Sequence, residues 1–310
     1  MQTVLIGIDL GGTNIQGAAA VNDTIISKDK LATHSQQGPG TVIKDIAKLV
    51  LELAAGKKIQ AVGLGLPGLL DVDKGICISS CNLGWHNVHI SRELSREIGA
   101  PVLIDNDARV AALGEWSRGQ AKDCKDFIYL TIGTGVGSGI VINDHLLLGP
   151  SWSAGEVGHM ILNPQGPECA CGNHGCLEAL ASGTAIARDG RAAAAVNPTS
   201  LLAKNLDAID AASVFAAAGA GDIAATKVID TAMAWLGLGV ANLVNIFNPR
   251  LVVIGGGVSL AGEELLAPVR TQVNRYGMKM QRETVTITTS RLGDTAGMVG
   301  ALELARRGLS

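Results

Sequence analysis

The sequence predicts an α/β protein built from two similar halves, and three observations lead there. Near the start, the run from Thr3 to Ile8 stops at Asp9-Leu10-Gly11-Gly12-Thr13, and a second extended run, Ile15 to Val21, follows at once. That spacing is a strand, a tight glycine turn and an antiparallel return strand. The theme recurs as Phe127 to Ile132, then Gly133-Thr134-Gly135-Val136-Gly137-Ser138-Gly139, then Ile140 to Ile142. After each opening, helical and extended segments alternate as in layered α/β proteins. Such an internal repeat points to duplication of one unit. The 310 residues leave room for two domains at ~150 residues each.

The remaining elements follow in order. Ile25 to Ala32 is a third strand. Pro39 opens a helix with Val42, Ile43, Ile46, Leu49, Val50 and Leu53 apolar at helical spacing, and Gly56 stops it. Ala61 to Leu66 is a strand ending in Pro67-Gly68. Ser91 is placed to cap a helix to Glu97, ended by Gly99 and Pro101. Val102 to Ile104 is a buried strand leading to Asp105-Asn106-Asp107, and a helix runs from Ala108 to about Trp116. Beyond Ile142 comes a long irregular stretch, then a helix from about Asp222 to Phe247. The strand Leu251 to Ile254, the turn Gly255-Gly256-Gly257 and the strand Thr284 to Thr288 follow. A helix from about Thr295 to Arg307 closes the chain.

The polar stretch Ser117 to Asp126 marks a boundary. It divides a small α/β domain, residues 1–118, from a large one, residues 119–294. The last helix, about 295–310, is expected to pack back on the small domain. No low-complexity linker intervenes, so the halves are expected to face each other across a cleft.

Composition removes several classes. Apolar residues at 47% and a mean hydropathy of +0.29 exclude wholesale disorder. A net charge of −3 with no Lys/Arg block argues against a nucleic-acid partner. The N-terminus has no basic run and meets an acid at Asp9, unlike a signal peptide. The apolar stretch Ala232 to Ile254 is broken by Asn242, Asn245, Asn248, Pro249 and Arg250, so no membrane span is expected. Three of the six cysteines fall within eight residues, which suits metal binding in a reducing, cytoplasmic setting better than a disulfide framework. The 40 glycines gather in clusters without a G-X-Y period, as in loops that approach something closely.

Those clusters are the first candidate site. Gly11, Gly12 and Thr13 can turn backbone N–H groups toward one anion, and Asp9 is placed to hold a hydrated Mg²⁺ beside the same phosphates. Gly133, Thr134 and Gly135 offer a second nest. Each alone is equally an ordinary hairpin turn, but two nests opening two similar halves suit a polyphosphate. No G-x-x-x-x-G-K-[ST] is present, which excludes a P-loop. Gly63-Leu64-Gly65-Leu66-Pro67-Gly68 matches G-x-G-x-x-G, yet Leu69 to Gly75 reads as a turn where a dinucleotide fold needs a helix.

The second candidate is a metal centre. His159, Cys169, Cys171 and Cys176 supply one imidazole and three thiolates, a closed four-coordinate set that suits structural Zn²⁺; His174 is a nearby competitor. Glu156 and Glu178 flank this loop, and Asn106-Asp107 ends a strand where α/β sheets place ligand groups. Asp107 reads as a general base or as a helix N-cap. Glu, His and Asn side chains here suit a polyhydroxylated ligand or, equally, a solvated surface. Asn82 adds an amide, while Trp85, Cys77, Cys81, Cys124 and Met160 read as packing or unassigned.

In this order the motifs resemble the ROK family of sugar kinases and repressors, along almost the whole chain. The matching segments are Asp9-Leu10-Gly11-Gly12-Thr13, Gly65-Leu66-Pro67-Gly68, Asn82-Leu83-Gly84-Trp85, Asn106-Asp107-Ala108, Gly133-Thr134-Gly135-Val136-Gly137, Gly155-Glu156-Val157-Gly158-His159 and Cys169 to Glu178. The resemblance, greatest to the bacterial glucokinases, implies an actin-like, ribonuclease-H-like duplicated fold with ATP in the interdomain cleft. It implies Asp107 as the base at the sugar 6-hydroxyl, and Asn82, Asn106, Glu156, His159 and Glu178 on the other hydroxyls. His159 would serve zinc with one ring nitrogen and sugar with the other. Asp9 would organise Mg²⁺, the two glycine turns would cradle phosphates, and Gly255, Gly256 and Gly257 would border the adenosine. A homodimer or homotetramer is also implied.

Two positions depart from the family: Arg109 stands where Asn is common, and Asn14 where Lys is frequent. Other hexoses, N-acetylmannosamine, fructose or a polyphosphate donor remain alternatives. The repressor reading is disfavoured, since only eight residues precede Asp9, too few for a winged helix.

Overall fold

Burial on both faces of the first strand sets the layering of the N-terminal half. In β1 (Thr3–Leu10), Val4, Ile6, Ile8 and Leu10 are fully buried in one apolar cluster, whereas Leu5 belongs to another. A strand with both faces covered lies inside a sheet packed by helices on both sides. The computed structural model describes residues 3–309. By its contacts the chain forms two units, Met1–Asp123 with His145–Gly155 and Arg291–Ser310, and Cys124–Asp144 with Glu156–Ser290.

The first unit contains β1, β2 (Asn14–Val21), β3 (Thr24–Ala32), α1 (Pro39–Ala54), β4 (Lys58–Leu66), β5 (Leu69–Asp71), β6 (Ile76–Ser80), β7 (Trp85–Val88), α2 (Ile90–Ile98), β8 (Val102–Asn106) and α3 (Asp107–Arg118). Its main sheet has the order β3-β2-β1-β4-β8, with β1–β2 antiparallel and β1–β4 and β4–β8 parallel. Helix α1 covers one face through the apolar positions expected from its periodicity. The C-terminal helix, Ala296–Arg307, covers the other through Met298, Leu302 and Ala305. A small antiparallel sheet, β5-β6-β7, carries the Asn82 turn between its last two strands.

Glycine permits the close approach of that C-terminal helix. A Cβ on Gly63 would overlap the carbonyl of Ala301, and one on Gly300 would overlap the carbonyl of Val110 in α3. Backbone meets backbone at both crossings, so no side-chain rotamer can relieve the overlap.

The second unit contains β9 (Phe127–Ile132), β10 (Val136–Ile142), α4 (Leu177–Ala181), α5 (Gly183–Val196), α6 (Ala211–Gly219), α7 (Ile223–Phe247), β12 (Leu251–Gly255), α8 (Glu263–Tyr276), α9 (Lys279–Thr284) and β13 (Thr286–Thr289). Its strands run in the order β10-β9-β12-β13; β11 (His145–Leu146), which follows β10 in the chain, falls in the first unit. Again an antiparallel hairpin is extended by two parallel strands, the duplicated pattern expected from the two glycine-turn openings. Helix α7 is long and apolar enough to cross a membrane by composition alone, with mean hydropathy 1.3. Its Met233, Leu236, Val240 and Val244 are fully buried in this unit's core.

Several local expectations are corrected. Helix α2 starts at Ile90 with His89 at the N-cap; Ser91 lies inside it, its N–H donating to Gly75. Strand β10 begins at Val136, so Gly137 and Gly139 are ladder residues opposite Thr131 and Tyr129. Leu69–Asp71 pairs with β6. The long irregular stretch contains α4, α5 and α6, whose many alanines blur the apolar periodicity. Lys279–Thr284 closes as α9, so the strand near Thr284 starts at Thr286.

Alanine at position 300 should test the glycine crossing. Ala favours helix by ~1 kcal/mol over Gly, but overpacking against backbone costs about 1–3 kcal/mol. We expect Gly300→Ala to lower the urea midpoint; a midpoint at or above wild type would refute the crossing constraint.

Candidate active site and metal centre

In the first unit the candidate groups gather at the carboxyl ends of β1 and β8, the two strands flanking β4. Asp9 is next to last in β1, and Gly11-Gly12-Thr13 turns the chain into β2. The turn is held by Gly11 N–H donating to Asn14 O at 2.9 Å and Thr33 Oγ1 donating to Gly11 O at 2.8 Å. Gly12 faces Asn82, since a Cβ there would come within 3.6 Å of the Asn82 carbonyl. The glycine turn and the exposed Asn82 are therefore neighbours. Trp85 is buried in the core, the packing role expected of it.

At the β8–α3 junction, Asn106 is the N-cap: its Oδ1 accepts from Ala108 N–H at 3.1 Å and Arg109 N–H at 3.4 Å. The cap is Asn106 rather than Asp107, which is the first helical residue and accepts from Ala108 N–H at 2.9 Å. Asp9 and Asp107 feel each other electrostatically. Burial first, and the Asp107 charge second, push the Asp9 carboxyl from 3.8 up to about 7. Gly297, at the start of the C-terminal helix, leaves the space that the Asp9 carboxylate fills, because a Cβ there would overlap it.

In the second unit Glu178 joins two motifs. Its Oε2 accepts from Val136 N–H at 2.9 Å, and a Cβ on Gly135 would overlap that same oxygen. Its Oε1 lies 3.9 Å from Cys169 Sγ. The turn itself is held by Gly133 N–H on Gly135 O at 2.9 Å and Gly183 N–H on Gly133 O at 2.7 Å.

His159, Cys169, Cys171 and Cys176 bring one ligand atom each within 4.8 Å of one another. Cys171 Sγ and Cys176 Sγ are 3.6 Å apart, as are His159 Nδ1 and Cys169 Sγ. A tetrahedron with Zn–S near 2.3 Å has an edge of ~3.8 Å, so the donor set and its spacing fit zinc. Burial pushes the Cys176 thiol up to about 12 and raises Cys169, while the Asn173 N–H brings Cys171 down to about 7. A bound cation must therefore displace protons from the two buried thiols. His174 is outside the cluster; its backbone bridges to Glu168. Glu156 is exposed and precedes the single turn Val157–His159.

The second unit also has an open cleft of about 660 Å³ lined by Gly133, Thr134, Thr184, Ala187, Arg191, Ile209, Phe215, Gly257 and Val258. Of the third glycine cluster, Gly257 lines it. Gly256 sits at φ +81°, and a Cβ there would lie 2.5 Å from the Ile132 carbonyl. Gly255 is the last residue of β12 and packs on Tyr129. The walls from α5, Ile209 and α6 carry no signal in the sequence, since isolated alanines, Ile209 and Phe215 form no motif. For Arg109, whose guanidinium pairs with Asp105, an Asp and an Arg four apart was the available signal.

Asp9 gives a pH test with a definite sign. The folded state holds the Asp9 proton more tightly than the unfolded chain does. This contribution therefore favours folding at low pH and is lost as pH rises from about 4 to about 7. Asp9→Asn should melt higher than wild type at pH 8 without divalent cations, and the gap should close at pH 4. A gap independent of pH would show that Asp9 is not buried as a shifted carboxyl.

Comparison with known proteins agrees with this geometry. The ROK family model matches residues 5–308. A glucokinase of Thermotoga maritima is 39% identical over 307 residues, covering 97% of each chain. A glucokinase of Halalkalibacterium halodurans is 37% identical over 305 residues, 95% of this chain and 92% of its own. The crystal structure of a ROK family glucokinase from Streptomyces griseus with glucose and AMPPNP superposes with a TM-score of 0.86 at 33% identity, covering 98% of this chain and all of that one. With matched motifs, matched length and matched fold, the chain belongs to the ROK family.

Proposed function

We propose that the chain is an ATP-dependent glucokinase, transferring the γ-phosphoryl group of ATP to the 6-hydroxyl of glucose. Near-full-length identity to glucokinases supports the activity. The structural observation that supports it is the placing of Asp9 at the carboxyl end of β1 and of Asp107 directly after β8, with Asn106 performing the capping. Asp107 takes a proton in this reading, and Asp9 serves a cation.

In this reading Asp107 takes the 6-hydroxyl proton as that oxygen attacks the γ-phosphorus and the bond to the β-phosphate oxygen breaks, releasing ADP. Phosphoryl transfer asks chiefly for alignment and neutralised charge. Backbone N–H groups at Gly11, Gly12 and Thr13, and at Gly133, Thr134 and Gly135, supply donors to phosphate oxygens. Asp9 would hold Mg²⁺ through water, which supplies positive charge to the phosphates. Asn82, Asn106, Glu156, His159 and Glu178 orient the sugar hydroxyls, with Asn106 offering its Nδ2 because Oδ1 serves the cap. His159 turns Nδ1 to the cysteine cluster, and in this reading Nε2 serves the sugar. Apolar walls from Ala187, Ile209, Phe215 and Val258 suit a purine, and Gly255, Gly256 and Gly257 border the adenosine.

Zinc is the metal proposed for His159, Cys169, Cys171 and Cys176. With four protein ligands it would hold the loop that runs into α4, where Glu178 sits, and would leave no position for substrate.

Two experiments test the reading. ADP release from MgATP across a hexose panel should be fastest with glucose, and Asp107→Asn should lose roughly 10²-fold or more in kcat at unchanged melting temperature. Preference for another hexose would change the substrate, and wild-type turnover in the variant would remove Asp107 as base. Elemental analysis should find about one zinc per chain, lost in Cys176→Ser with a lower melting temperature; a metal-free, fully active protein would reject the zinc assignment.

A further inference from the structure

Helix α3 carries an arginine that solvent does not reach. Arg109 is 2% exposed and its partner Asp105 4%, and among the described residues theirs is the only ion pair with both side chains buried. A guanidinium stays charged when buried, so it rests only where its donors are matched. Nε donates to Asp105 Oδ1 at 2.7 Å, and Nη2 closes on the same oxygen. That oxygen also accepts from the backbone N–H of Asn106 at 2.7 Å. The carboxylate and guanidinium thereby brace the junction that presents Asn106 and Asp107.

The third contact lies far off in sequence. Arg109 Nη1 donates to the carbonyl of Trp152 at 2.5 Å. Trp152 sits in the left-handed region at φ +57°, which a bulky side chain holds only when its surroundings impose it. The turn's own bonds are Trp152 N–H to Gly149 O at 3.3 Å and Ala154 N–H to Leu148 O at 3.0 Å. Four residues after Trp152 comes Glu156.

We propose that Arg109 is a positioning residue for the phosphoryl transfer: one guanidinium locks the Asp105-Asn106-Asp107 junction and the backbone of the 148–154 turn into a single body before sugar binds. Charge alone does not achieve this. Asp105 needs a cation, but the Trp152 carbonyl needs a second donor aimed away from the first, and a planar fork supplies both where an ammonium supplies one point charge. Arginine here is thus a requirement of geometry, and lysine is not an equivalent.

The kinetic part of this inference rests on the sugar-kinase reading; the hydrogen-exchange part does not. Two full-length variants serve: Arg109→Lys, which keeps the charge on Asp105, and the pair Asp105→Asn with Arg109→Gln, which removes both charges in case the first fails to fold. Amides of residues 148–154 should exchange about tenfold faster in each, with the rest of the chain unchanged. Glucose KM should rise about tenfold or more while ATP KM stays within about twofold, the scale of one lost charge-assisted hydrogen bond. Unaltered exchange in 148–154 would overturn the tether. Faster exchange with both KM values and kcat at wild type, or a rise spread evenly over the chain, would leave Arg109 only structural and overturn the positioning role. If wild type phosphorylates no sugar, the kinase reading fails, and the exchange measurement still decides the tether.

Discussion

The first unit depends on how closely the C-terminal helix can lie on the sheet. At Gly7 and Gly63 the sheet offers no side chain, and the helix backbone occupies that space; at Gly114 and Gly300 the helix meets α3 in the same way. Such contacts give dispersion without rotamer entropy, but they tolerate no added atom. They bring the last residues of the chain onto its first strand. Through Gly297 they also set the start of this helix against the Asp9 carboxylate, so a packing constraint decides the environment of a chemical group.

Charge in this unit is arranged unequally. Asp105 is neutralised by a buried arginine and an N–H, so it serves as a strut. Asp9 has burial and a neighbouring negative charge instead, so its ionised form is costly. Two carboxylates, at positions 9 and 105, thus differ in behaviour through their surroundings. The principle is general: environment separates the behaviour of like groups.

The second unit reaches its order differently. One carboxylate, Glu178, accepts from the glycine turn through one oxygen and faces the thiolate cluster with the other. A Cβ on the turn residue Gly135 would displace that oxygen. Metal loop and glycine turn are thereby linked through a single residue. A metal bound by the cluster would therefore be felt at the turn as well as in the loop.

Much of this was legible in the residues. The two strand–glycine turn–strand openings, the amphipathic α1 and the His/Cys₃ spacing each depend on local pattern, and local pattern is carried by neighbours in the chain. The family likeness extended that reading to ligands. The short helices α4 to α6 were not legible, because alanine contributes little contrast between buried and exposed faces. Nor was the division of labour between Asn106 and Asp107, since either side chain can cap and only the turn of the backbone at the junction decides. The cleft walls from α5 and α6, the Glu178 bridge and the Arg109–Trp152 contact join residues far apart in sequence. Their pairing follows from where helices and sheets pack, a property of the folded chain as a whole that no short stretch of it encodes.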